Sequence, residues 1–196
     1  MADPTVLSDL PWPLPQQAGI ARGLLDRWSE PHRRYHDLRH LTECLAAAQH
    51  LRAGPDELLA LWLHDAVHTG TPGRDEADSA DVARRLLKGV LPPDRVEEVA
   101  RLILLTRDHR PELDDSAGAI VCDADLWVLG ADPVRYAASV QDLQAELELW
   151  GDAWRAVRRP QLEFRLSRPI YHSAPGRERE VAARRNTSEE LERLTG

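Results

Sequence analysis

A chain of 196 residues is long enough for one domain with a buried core and too short to make two ordinary domains the first expectation. Its 42% hydrophobic and 30% charged residues are globular proportions, which excludes a disordered or fibrous chain. The net charge of -8 is uneven: residues 155 to 196 hold ten Arg against six Glu, or +4, leaving -12 for the rest, so the surface as a whole is not one that neutralises nucleic-acid phosphates.

The first 15 residues carry four Pro, two Asp and no Lys or Arg, which is unlike a secretory leader and reads as a loosely packed lead-in. From there Pro and Gly punctuate segments of helical length, without sustained apolar and polar alternation, so helices should dominate. The spacing predicts helices over about 16 to 29, 38 to 53, 56 to 69, 75 to 89, 94 to 108, 117 to 130, 133 to 150, 152 to 167 and 177 to 194. Asp56 and Asp94 stand where N-caps are wanted, and Asp132 followed by Pro133 offers an N-cap and a first helical residue. The longest apolar run, 58 to 63, is six residues where a membrane span needs roughly 20. Cys44 and Cys122 are 78 apart with no CxxC pair, which argues against a disulfide framework and for thiols in a reducing, cytoplasmic compartment. The Arg-rich tail reads as a solvated helix with Arg and Glu paired three or four apart.

Three largely apolar segments each carry ionisable side chains. His36 and His40 are four apart, as are His64 and His68, so each pair shares a face if its helix spans both. Asp65 follows His64 among Leu58, Leu59, Leu61, Trp62, Leu63, Ala66 and Val67, and a buried ionised Asp without a partner is costly. Asp123 and Asp125 continue the apolar run 119 to 122. A shared metal ion, drawing imidazoles and carboxylates from neighbouring helices, accounts for all three segments at once. On spacing alone, Asp123 and Asp125 compete for the last ligand position.

The order His40, His64-Asp65, Asp125 resembles the H...HD...D signature of the HD superfamily of metal-dependent phosphohydrolases. The surrounding text is similar to its small predicted HD phosphohydrolases: Arg33, Tyr35, His36 and His40; His64 to Val67; Glu76 with Ser79-Ala80; Thr106 and His109; Asp123 to Leu126; and Ala183-Arg184, Asn186 and Glu190-Leu191. The likeness runs from about residue 31 to 191, with Asp37 where Asn is expected and His68 where Tyr is usual. It implies an all-α, single-domain bundle of about eight or nine helices over 16 to 196, with a divalent metal on His40, His64, Asp65 and Asp125.

That resemblance further implies a phosphohydrolase in which water at the ion attacks a phosphate ester or anhydride of a nucleotide or other small metabolite. Asp65 would bind metal and orient the water. His36, His109 and Glu76 are candidates for proton transfer or substrate contact, and Arg33 for a phosphate fork. Mixed nitrogen and oxygen ligation suits Mn best, with Fe, Co, Ni or Mg as alternatives. Two rivals keep the fold: a di-iron oxygenase recruiting His68 and His109, and a non-catalytic nucleotide-binding module. The expected partner is a small phosphorylated substrate, with no membrane; the oligomeric state stays open.

Overall fold

A computed structural model describes residues 10–71 and 73–195, and among them the chain is all-α, with no sheet. Ten helices follow in order: α1 Ala18–Trp28, α2 Leu38–His50, α3 Pro55–Leu63, α4 Arg74–Leu87, α5 Pro93–Leu105, α6 Ser116–Asp125, α7 Pro133–Glu146, α8 Gly151–Leu166, α9 Ala174–Arg177 and α10 Glu180–Thr195. The count exceeds the expected eight or nine because the last segment splits into the single turn α9 and the long α10. No helix among the described residues is long and apolar enough to cross a membrane.

The starts show where the sequence reading was right and where it was offset. Asp132 caps α7 through the amides of Val134 and Arg135, with Pro133 at the first helical position, as expected. Asp56 and Asp94 are not N-caps. Gly54 and Pro92 hold those places, and Pro55 and Pro93 take the first helical position that suits a residue without an N–H. Asp56 instead pairs with Arg95 of α5, at 2.5 Å.

Helix α3 is the centre of the core. Leu59, Ala60, Leu61, Trp62 and Leu63 are all fully buried, and α3 packs on α2, α5 and α6. The expected helix over 56 to 69 ends six residues early, at Leu63, because side chains from elsewhere take the carbonyls that a longer helix would use. Trp28 Nε1 donates to the Trp62 carbonyl, Arg33 to that of Asp65 and Arg27 to that of Ala66. His64 and Asp65 therefore sit in a turn at the helix end, and His64 and His68 do not share a helical face.

Residues 1 to 9 of the expected lead-in lie outside the described residues. Its remainder is not loose: Leu10, Trp12 and Leu14 pack against the core, Trp12 meets Trp62 edge-on at 5.2 Å, and Trp62 donates to the Pro11 carbonyl. At the other end, α10 packs on α8 and on the 3-10 turn Leu126–Gly130 that continues α6. The Asn186 amide donates to the carbonyls of Leu129 and Ala131, and Glu190 receives both Arg158 and the Tyr136 hydroxyl. The closing motif of the sequence thus anchors the end of α6, and with it Asp125.

Candidate metal centre

Three elements bring His40, His64, Asp65 and Asp125 to one point: α2, the turn after α3, and α6. The side chain of Asp37 caps α2 by accepting from the amides of Arg39 and His40, which places His40 in the first turn facing inward. Asp125 closes α6, and His64 with Asp65 follows α3. His40 Nε2 lies 3.0 Å from Asp125 Oδ1 and 3.3 Å from His64 Nε2, while His64 Nε2 lies 3.0 Å from Asp65 Oδ2 and 3.4 Å from Asp125 Oδ1. Adjacent donors around an octahedral ion, each at about 2.1 Å, stand about 3 Å apart. Trp28 closes the floor, its ring 5.4 Å from that of His64.

The protonation pattern fits a cation. His64 Nδ1 lies 2.8 Å from the Leu61 carbonyl, which only an N–H can satisfy, so Nε2 is the nitrogen turned to the cluster, where a cation can take the place of its proton. Asp65 Oδ2 is buried without a hydrogen-bond donor, an arrangement that costs free energy unless a cation meets it. Burial would lower the His64 pKa, but Asp65 and Asp125 outweigh it and raise it well above the usual range. Burial would likewise raise both aspartates, but the histidines, His64 foremost, hold them well below it. His40, Cys44, His64 and Asp125 could hold a metal ion, their donor atoms all lying within 4.8 Å of one another. The Cys44 thiol is 3.6 Å from His40 Nε2, and burial, with Asp125 and Asp65, pushes its pKa well up. The carboxylate of Asp65 is thus the better donor at neutral pH.

Asp123 and Asp125 have separate tasks. Asp123 accepts from the amides of His172 and Ser173 and from the Ser173 hydroxyl, at 2.7, 2.8 and 2.6 Å. Gly176 allows this approach, since a Cβ there would come within 2.2 Å of Asp123 Oδ2. Asp123 therefore fastens the start of α9, and Asp125 alone of the two faces the histidines.

His109, expected from sequence to transfer a proton or contact substrate, lines a pocket beside the cluster and links two charged groups. Its Nδ1 lies 3.0 Å from Arg165 and its Nε2 2.8 Å from Asp125 Oδ2. A guanidinium has only donors, so Nδ1 accepts and Nε2–H donates to Asp125. Burial, then Arg165, lowers the His109 pKa to about 4, which keeps this ring neutral. Replacing His109 by Ala should weaken metal binding about 10- to 100-fold, the usual scale for losing the partner that orients a ligand. Competition with a chelator measures it, and unchanged affinity would show that Asp125 needs no such partner.

Arg33 is not the expected phosphate fork. Its buried guanidinium bonds the carbonyls of His36 and Asp65 and pairs with Glu30, so it clamps the turn that carries Asp65. Glu76 accepts from the Gly73 amide at the start of α4 while its side chain lines the pocket beside the cluster. Ser79 bonds Val67 N at 3.0 Å and so ties down the same turn. His36 lines that pocket too, but its Nδ1 is 2.5 Å from Glu146, a residue that sequence reasoning missed. Glu146 carries no local signal, being one carboxylate on a helix whose partner lies 110 positions away.

The pocket has a volume of about 370 Å³ and reaches from His36, His109 and Asp125 to Arg107, Phe164 and Arg165. Of its three arginines, Arg158 pairs with Glu190, whereas among the described residues neither Arg107 nor Arg165 forms an ion pair with a carboxylate. Burial, with Arg168, lowers the Arg165 pKa to about 10, still cationic at neutral pH. Comparison of the chain with protein-family models, with curated proteins and with solved structures finds no match.

Proposed function

We propose that the protein is a metal-dependent phosphohydrolase of the HD type, acting on a nucleotide or another small phosphorylated metabolite. One observation carries the reading: Asp125, which gathers His40 and His64 into a donor set suited to a divalent cation, lines a pocket that also holds Arg165, a guanidinium without a carboxylate partner among the described residues. The resemblance of the order His40, His64-Asp65, Asp125 to HD phosphohydrolases agrees with it.

Bound there, a divalent ion of the Mn, Fe, Co, Ni or Mg class would polarise a phosphoryl oxygen and lower the pKa of water. His40, His64, Asp65 and Asp125 hold it. Asp65, whose Oδ2 lies 3.0 Å from the His64 ring, orients the nucleophile, while His109 keeps Asp125 in register. Arg165, with Arg107 at the mouth, receives the phosphate charge. His36 stands at the pocket wall, where its ring can contact the substrate. A pocket of this volume suits a ligand of nucleotide size.

The test is a screen of metal-depleted protein, reloaded with Mn, Co or Mg, against nucleotides and simple phosphate esters, with phosphate and pyrophosphate measured separately. Metal-dependent release is expected, and Arg165→Ala should lower kcat/KM about 10- to 100-fold, the scale of one charge-assisted hydrogen bond. Tight nucleotide binding without turnover under any metal would replace the enzyme by a binding module.

A further inference from the structure

Glu146, at the end of α7, is a nearly buried carboxylate whose two oxygens are used differently. Its Oε2 accepts from three successive backbone amides, those of Arg34, Tyr35 and His36, at 2.8, 2.9 and 3.0 Å. That fixes the carboxylate and aims Oε1 at two imidazole nitrogens, His36 Nδ1 at 2.5 Å and His68 Nε2 at 3.0 Å. These three donor atoms lie within 4.8 Å of one another, and the two rings are 4.3 Å apart. Among the described residues no Lys or Arg side chain pairs with Glu146, whose side chain is 3% exposed. Its charge is left to the imidazoles or to a cation between them.

We propose that His36, His68 and Glu146 form a second divalent-cation site, distinct from the cluster of His40, His64, Asp65 and Asp125. Two imidazoles and one carboxylate on one side of an ion leave its other positions open, a donor set that suits first-row metals such as Fe, Mn or Co. An ion about 2.1 Å from each donor needs ligand atoms about 3 Å apart, so the pair at 3.0 Å already fits and the pair at 2.5 Å must open by a few tenths of an ångström. Access exists through a second cavity of about 370 Å³, lined by His32, Arg34, Gly70 and Glu148, which reaches His68 and Glu146. Water entering there would complete the coordination. The three backbone bonds to Oε2 hold the carboxylate in place for the ion, as the partners of metal-bound carboxylates do elsewhere.

This site goes beyond the phosphohydrolase reading and does not depend on it. The experiment is a count of Co(II) and Mn(II) equivalents by equilibrium dialysis, on the wild-type chain and on Asp65→Asn, His68→Ala and Glu146→Gln, each checked by circular dichroism for folded helix. Two equivalents in the wild type, falling to one in His68→Ala and to one in Asp65→Asn, is the expected result. His68→Ala carries the test if Glu146→Gln, which disturbs the three backbone bonds, fails to fold. One equivalent in the wild type, lost in Asp65→Asn and kept in His68→Ala, would overturn the second site and leave the first standing. Two equivalents in both His68→Ala and Glu146→Gln would also overturn it, and no binding at all would remove both sites.

Discussion

Asp65→Asn is expected to lower metal-dependent hydrolysis about 1000-fold or more and to remove the ion held with His40, His64 and Asp125. The carboxylate supplies a ligand, and its Oδ2, buried without a donor, is the group best placed to orient a nucleophile. Losing both roles removes several kcal/mol of transition-state stabilisation, each 1.4 kcal/mol being a factor of ten. The fold should survive, because the turn holding Asp65 is fixed through its backbone carbonyl by Arg33 and not through its side chain. Circular dichroism and metal analysis on the same sample check this. Full activity in the variant would reject the proposed function outright.

Candidate ligands stood out from sequence because ionisable side chains interrupt apolar segments, which is costly without a shared partner, while the choice of His40, His64, Asp65 and Asp125 among them came from the resemblance to HD phosphohydrolases. Helix positions were legible for a related reason: Pro and Gly mark the ends of segments whose interiors favour helix. What could not be read were the long-range side-chain contacts that overrule local pattern. The end of α3 at Leu63 is decided by Arg27, Trp28 and Arg33, more than 30 positions upstream of the carbonyls they bond. Arg33 itself looks like its neighbour Arg34, and only burial separates the clamp from the surface residue.

The Arg-rich tail shows the same limit from the other side. Arg159 with Glu163 and Arg184 with Glu180 do form the expected pairs four apart. Arg158 and Arg165, on the same stretch, turn inward to Glu190 and to His109. Periodicity placed these arginines on a helix but could not say which of them faces a pocket built largely by other elements.

Exchanging each aspartate of α6 for Asn separates chemistry from architecture within two residues of sequence. Asp125→Asn should lose the first-cluster ion and with it activity. The amide keeps the size of the side chain but removes the charge that His40, His64 and His109 all face. Asp123→Asn should keep that ion and instead lose stability by about 1–3 kcal/mol, since a neutral amide accepts more weakly from His172 N, Ser173 N and the Ser173 hydroxyl. Its NH2 group would also be set against one of those donors. Metal content and thermal unfolding, measured on both variants, give opposite patterns if the geometry is right: one folded protein lacking the ion, one ion-bound protein with a lower Tm. If Asp123→Asn lost the ion and Asp125→Asn kept it, the register of α6 against α2 and α3 would be wrong, and the ligand set would have to be rebuilt around Asp123.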